Sequence, residues 1–226
     1  MKAAIFDLDG TLVDSAADLQ AAANRLMRQN GLPELGLATV TCFIGNGIPR
    51  LVERCFAHNG AAPDDLPAQV ARFKRYYAEE GHRRTRFMPG AETALRRLTA
   101  SGLALGLCTN KDAEPARAIL RRLRVEGLFR AVVGGDSGLA KKPEAAPLLA
   151  CVAACGVAPA EAVYVGDSET DAATAEAAGL AFLLYTEGYR RGPLVSMKHA
   201  ASFSLFATLP GVIAALPQAR PAAEVG

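Results

Sequence analysis

The chain has 226 residues, 50% of them hydrophobic, with no tryptophan and with 25 Lys and Arg set against 23 Asp and Glu. That length suits one large domain or two small ones, with enough apolar residues for a sizeable core. A net charge of +2, with basic runs only at Arg83-Arg84-Thr85-Arg86 and Arg121-Arg122-Leu123-Arg124, argues against a nucleic-acid partner, and no run of about 18 uncharged apolar residues is there to span a membrane.

The apolar run Ala3–Phe6 reads as a buried strand, and its start at residue 2 or 3 leaves no room for a signal peptide. The five cysteines, Cys42, Cys55, Cys108, Cys151 and Cys155, form no C-x-x-C pair. Their odd number and the spacing of the last two on a helix suit small buried residues, so a reduced, cytoplasmic protein is expected.

Directly after the first strand comes Asp7-Leu8-Asp9-Gly10-Thr11-Leu12-Val13-Asp14-Ser15. Alternate strand residues point to opposite faces, so Asp7 and Asp9 can share one mouth only where the strand has ended and the chain turns. Gly10 supplies a permissive backbone for that turn.

Helices are expected over 17–29, Ile48–His58 and 68–78, punctuated by Gly31, Gly45, Gly47, Gly60 and Pro67. The stretch from 16 to 85 is too long for a loop in a compact domain. It reads as an α-helical cap domain inserted into a core made of 1–15 and 86–226.

The core resumes at Phe87-Met88-Pro89-Gly90. Helices over 91–99, Ala113–Arg122, 145–154 and 172–178 alternate with strands over 103–108, 131–133, 162–165 and 181–184. Such alternation predicts an α/β fold, a Rossmann-like parallel sheet covered on both faces. The tail after Pro217, rich in Ala and Pro, is expected to fray.

Chemistry-bearing groups stand just beyond these strands: Asp7 after the first, Thr109-Asn110-Lys111 after 103–108, and Gly166-Asp167-Ser168-Glu169-Thr170-Asp171 after 162–165. Lys141-Lys142-Pro143 precedes the helix leading to the last of these. All carboxyl ends of a parallel sheet lie on one edge, so these groups should meet in one crevice. A nucleophile, a hydroxyl, a cation and further acids converging there describe a phosphoryl-transfer site.

The four clusters resemble the four motifs of the haloacid dehalogenase superfamily of phosphatases. The first matches D-x-D-G-T-x-x-D-S at every specified position. The resemblance runs from Lys2 to about Tyr185 and implies Asp7 as nucleophile and Asp9 as general acid and base. It implies Thr109, the Asn110 backbone amide and Lys142 as phosphoryl-binding groups. Lys142 is preferred to Lys141 because the family's lysine commonly precedes proline; Ala145 stands where a second proline is frequent. Magnesium is the implied cofactor, held by side-chain oxygens of Asp7 and Asp167 and, by resemblance, the Asp9 carbonyl. Asp171, Ser168 and Asp14 are expected to brace the loops around these groups.

Phosphate esters carry negative charge, so a hard divalent cation is needed between them and an attacking carboxylate. Transfer to a carboxylate gives an aspartyl phosphate and splits one difficult displacement into two easier ones.

Inside the cap, Gly45-Asn46-Gly47 opens a helix, and Arg50 lies one turn on. Together with Gly134-Gly135-Asp136 and Lys141-Lys142-Pro143, this turn resembles the bacterial phosphoglycolate phosphatase branch of the superfamily. The branch implies hydrolysis of 2-phosphoglycolate to glycolate and phosphate, within carbohydrate metabolism. Backbone amides at a glycine turn can receive a carboxylate; Arg50 either assists or is a plain surface arginine. The expected partner is a small-molecule phosphate ester, and the chain a monomer or homodimer. Alternatives are a phosphatase of another small ester, a phosphosugar mutase, whose cap usually has a serine–arginine motif here, or a non-catalytic phosphometabolite-binding module, which would be expected to lack Asp7 or Asp9.

Overall fold

A computed structural model describes residues 1–217, so the tail expected to fray lies outside the described residues. In chain order the elements are β1 (Ala3–Phe6), β2 (Val13–Asp14), α1 (Ala16–Gln29), α2 (Leu37–Thr41), α3 (Ile48–His58), α4 (Leu66–Glu80), β3 (Arg86–Phe87), α5 (Ala91–Ala100) and β4 (Ala104–Cys108). There follow α6 (Ala113–Arg122), β5 (Phe129–Val133), α7 (Ala146–Ala154), β6 (Ala162–Gly166), α8 (Glu169–Ala178), β7 (Ala181–Tyr185), β8 (Ala201–Phe203) and α9 (Leu209–Ala215).

Six strands form one parallel sheet in the order β5-β4-β1-β6-β7-β8. Strand β1 is central: Ala3 is in register with Ala104 of β4 on one side and Ala162 of β6 on the other. The chain first builds outward through β4 and β5, then crosses back to begin β6. Asp7 therefore emerges where the strand order reverses, the position at which open α/β sheets bind ligands.

The period of two along β1 sorts its side chains between two cores. Ala4 and Phe6 pack with Leu95, Leu107 and Ile119 on the face of α5 and α6, while Ala3 and Ile5 pack with Leu148, Cys151 and Tyr164 on the other. Cys151 and Cys155 are both buried there, and all five cysteines are unpaired. No helix among the described residues is long and apolar enough to cross a membrane.

Helices α1 to α4 carry a third apolar cluster of their own, with Leu26, Met27, Val52, Phe56, Phe73 and Tyr77 at its centre. The helix expected from residue 68 starts two residues earlier. Asp65 caps it by accepting from Ala68 N at 3.0 Å, and Pro67 falls in the first turn, where its missing N–H has no partner to lose. The chain leaves and re-enters the core through the antiparallel pair β2–β3, Val13 opposite Phe87 and Asp14 opposite Arg86. Asp18, fully buried in α1, holds the segment just before β3 by accepting from Thr85 N and Thr85 Oγ1, both at 2.7 Å, and from Arg84 N.

Candidate active site

Asp7 makes the last rung of β1, its N–H donating to Val165 O at 2.9 Å. The chain then coils on itself: the Leu8 carbonyl accepts from Leu12 and Val13, and Gly10 N donates to Val13 O. Gly10 has φ +86°, and a Cβ there would fall 2.5 Å from Asp167 Oδ2 and 2.8 Å from the Tyr189 ring. Only glycine serves both the conformation and the close approach.

Strand ends bring the expected groups together. Lys142 is buried with its ammonium 2.7 Å from Asp171 Oδ1, 2.9 Å from the Tyr164 hydroxyl and 2.9 Å from Asp7 Oδ1. Its directed hydrogen bonds go to Asp171 and Tyr164; the approach to Asp7 is an ion-pair contact, and Asp7 Oδ1 stays buried without a hydrogen-bond partner. Thr109 is buried, and its Oγ1 accepts from Lys111 N at 3.3 Å. Asp167 accepts from Thr11 Oγ1 through one oxygen and from Tyr189 N through the other, each at 2.6 Å.

Asp171 is saturated. Oδ1 takes Lys142 and the Tyr164 hydroxyl, and Oδ2 takes Ser168 Oγ at 2.6 Å with the N–H groups of Ser168 and Asp167. Ser168 also caps α8, which is why that helix begins at Glu169 rather than at 172. Asp14 is exposed and accepts from the Tyr189 hydroxyl at 2.5 Å and from Ala16 N at 3.1 Å.

Four carboxylates, Asp7, Asp9, Asp167 and Asp171, face two ammonium groups, Lys142 and Lys111. Burial raises the Asp7 carboxyl to about 6, against the downward pull of Lys142 and helped by Asp171 and Asp9. Asp167 is pushed well above the usual carboxylate range by burial, then by Asp171 and Asp7. Burial also pushes Asp171 upward, but Lys142 and its other donors outweigh this and hold it low. Oxygens of Asp7, Asp167 and Asp171 lie within 4.8 Å of one another. An excess of buried negative charge with an orphaned Asp7 oxygen is a donor set that fits a hard divalent cation.

The turn at Gly45-Asn46-Gly47 reaches the same mouth. Gly45 O accepts from Asn110 Nδ2 at 3.1 Å, and Asn46 Nδ2 donates to Thr170 Oγ1 at 3.3 Å. Gly47 has φ +81° and ψ 165°, and a Cβ there would meet Lys141 Nζ at 3.4 Å and Asn110 O at 3.5 Å. Arg50 is not brought in: its side chain is 66% exposed and pairs with Glu53 at 2.6 Å. The arginines near the turn are instead Arg54, on Phe43 O and Asn46 Oδ1, and Arg191, on Ile44 O and Asn46 Oδ1.

Several contacts of the site are not evident from the sequence. Lys111 lies 2.9 Å from Asp9 Oδ2 and donates to the Tyr77 hydroxyl of α4 at 3.1 Å. Thr11, within the first motif, reaches Asp167 across 156 positions. Tyr189 joins Asp167 to the start of α1, its hydroxyl accepting from Ser15 N at 2.9 Å. Lys111 stood beside Thr109 and Asn110 as the only available signal; nothing marked Tyr189.

Comparison with known proteins agrees with this arrangement. The family described as haloacid dehalogenase-like hydrolase matches residues 4–185. A phosphoglycolate phosphatase of Cereibacter sphaeroides is 46% identical over 215 residues, covering 94% of this chain and 98% of the relative. One of Rhodospirillum rubrum is 42% identical over 214 residues, with 92% and 89% covered. A crystal structure described as a predicted phosphoglycolate phosphatase, from Haemophilus somnus, superposes with a TM-score of 0.88 at 30% identity, covering 94% of this chain and 97% of that one. From its central strand to its last buried one, the chain belongs to the haloacid dehalogenase-like hydrolases.

Proposed function

We propose that the chain is a magnesium-dependent phosphomonoesterase that hydrolyses 2-phosphoglycolate to glycolate and phosphate. The observation that carries this reading is the buried Asp7 carboxylate at the sheet edge, one oxygen without a hydrogen-bond partner and 2.9 Å from the Lys142 ammonium. The names of the curated relatives support the choice of ester. A cytoplasmic setting fits five unpaired cysteines.

Asp7 and Asp167 would hold magnesium with the Asp9 carbonyl, while Asp171 keeps Lys142 in place. The bound cation would neutralise charge shared between carboxylate and phosphate. An Asp7 oxygen attacks phosphorus, and the bond from phosphorus to the glycolate oxygen breaks. Asp9 gives its proton to that oxygen, which would otherwise leave as a poor alkoxide. Water then attacks the aspartyl phosphate, passes a proton to Asp9, and releases phosphate with Asp7 restored. Lys142, Thr109 and the Asn110 N–H hold the other phosphoryl oxygens through both steps. Residues 16–85 act as a cap that excludes bulk water, with the Gly45-Asn46-Gly47 turn as its contact with the core.

A steady-state specificity profile over small phosphate esters, with magnesium and with chelator, tests the reading. The highest kcat/KM is expected for 2-phosphoglycolate, with loss of turnover in chelator. A flat profile, or full rate in chelator after confirmed metal removal, would overturn it.

A further inference from the structure

The phosphoryl-binding groups leave one buried cation of the inner chamber without a task. Lys111 is 7% exposed, contacts Asp9 Oδ2 at 2.9 Å and donates to the Tyr77 hydroxyl at 3.1 Å. An ammonium has three donors; among the described residues the directed hydrogen bond of Lys111 goes to Tyr77, Asp9 is an ion-pair contact, and no further acceptor stands on it. The chamber it lines has Asp7, Asp9, Thr109 and Asn110 on the core side and Leu19, Ile44, Ile48 and Leu51 from the helical segment. Burial pushes the lysine toward its neutral form, but Asp9 and Tyr77 outweigh this and hold it charged.

We propose that Lys111 is the carboxylate-recognising group of the site, its remaining N–H binding the acid group of small esters whose phosphate and carboxylate are carried on one carbon. This inference rests on the phosphatase reading above and assigns its substrate selection to a residue. In 2-phosphoglycolate a single methylene separates the ester oxygen from the carboxylate carbon. The group that protonates the ester oxygen must therefore stand next to the group that binds the carboxylate. Asp9 and Lys111 meet that requirement at 2.9 Å.

Among the described residues no other cation near the mouth contacts Asp9, Lys141 beside Gly47 included. Arg50 faces solvent with Glu53, and Arg54 and Arg191 are occupied by Asn46 and the loop carbonyls. Because Tyr77 belongs to the helical insertion and Asp9 to the core, Lys111 is fixed from both sides only when the two are together. An ester without the acid group would leave a buried, charged N–H without a partner, which is how a site rejects an analogue lacking a group.

The test is the ratio of kcat/KM for 2-phosphoglycolate to that for ethyl phosphate, the same two-carbon chain without the acid group. It is measured in the unaltered protein, in Lys111→Met and in Lys111→Arg, with folding checked by circular dichroism. Lys111→Met should lower the ratio by on the order of 100-fold, beyond any loss common to both esters through Asp9, and Lys111→Arg should retain part of it. If Lys111→Met does not fold, Lys111→Gln, which keeps donors without charge, carries the same comparison. A variant ratio within about threefold of the original overturns the assignment and leaves the phosphatase reading standing. No preference for 2-phosphoglycolate in the unaltered protein overturns both.

Discussion

The carboxamide of Asn110 pairs with the backbone of Lys142 in both directions, accepting from its N–H at 3.0 Å and donating to its carbonyl at 3.1 Å. Nδ2 of the same side chain also donates to Gly45 O. One amide thus fixes where the lysine enters the site and where the turn of the helical insertion rests. Asn110→Ala should lower kcat by roughly 10- to 100-fold and cost about 1–3 kcal/mol, because buried backbone groups of Lys142 lose their partner. Steady-state kinetics beside urea denaturation checks this; unchanged kcat and stability would show that other groups hold Lys142.

Asp7→Asn should fold and lose turnover by a factor on the order of 10⁴ or more, since an amide cannot serve as the nucleophile. In metal-free buffer its melting temperature should equal or exceed that of the unaltered chain. The change removes one of three mutually close buried carboxylates. A folded variant with a near-normal rate would remove the covalent route.

Magnesium binding should weaken on acidification. The Asp7 carboxyl lies at about 6 in the fold against an ordinary 3.8, and Asp167 is shifted the same way. A folded carboxyl with a raised value binds a proton that the unfolded chain gives up. Its contribution to stability is therefore complete below pH 3.8 and lost as pH rises through about 6. Above that window the bared charges await a cation, and below it protons compete with one. Titration calorimetry should find magnesium bound on the order of tenfold more weakly at about pH 5 than at about pH 7.5. Equal affinity at the two values would mean that these carboxylates do not ligate.

Gly47→Val should disturb the seam between turn and core. Valine tolerates φ +81° poorly, and its side chain would press toward Lys141 and Asn110. The expected result is a larger fall in kcat/KM for 2-phosphoglycolate than for an aryl phosphate, whose good leaving group needs less help. Equal losses on both would make the turn merely structural. Arg50→Ala, by contrast, should stay within about twofold on either substrate, because an exposed ion pair such as Arg50–Glu53 contributes little.

The sheet and its edge were legible in the sequence because three of its strands, β1, β4 and β6, are followed at once by a polar residue of the candidate site. Ala3–Phe6 leads to Asp7, β4 to Thr109 and β6 to Asp167, so pattern and chemistry pointed to one place. The two-residue strands β2 and β3 have no pattern to detect, and β8 is a three-residue strand at the sheet margin. Element starts moved where a cap decided them, as Ser168 does for α8. The contacts that complete the site were hidden for a different reason. Tyr189 meets Ser15 across 174 positions and Lys111 meets Tyr77 across 34, separations at which local sequence carries no register. Lys111 adjoins Thr109 and Asn110 in the sequence, but a lysine's position does not say which way its four-carbon stem will turn.

The paired strands β2 and β3 let an entire helical layer hang from the sheet by two neighbouring threads. An appendage that departs and returns at the same point places no demand on the spacing of the six-stranded platform. Its helices can be lengthened, shortened or resculpted while Asp7, Thr109, Lys142 and Asp167 keep their positions, because those are set by the ends of β1, β4 and β6 and the segment before α7. Whatever the helical layer becomes, the four residues at the sheet edge can stay where the strands put them.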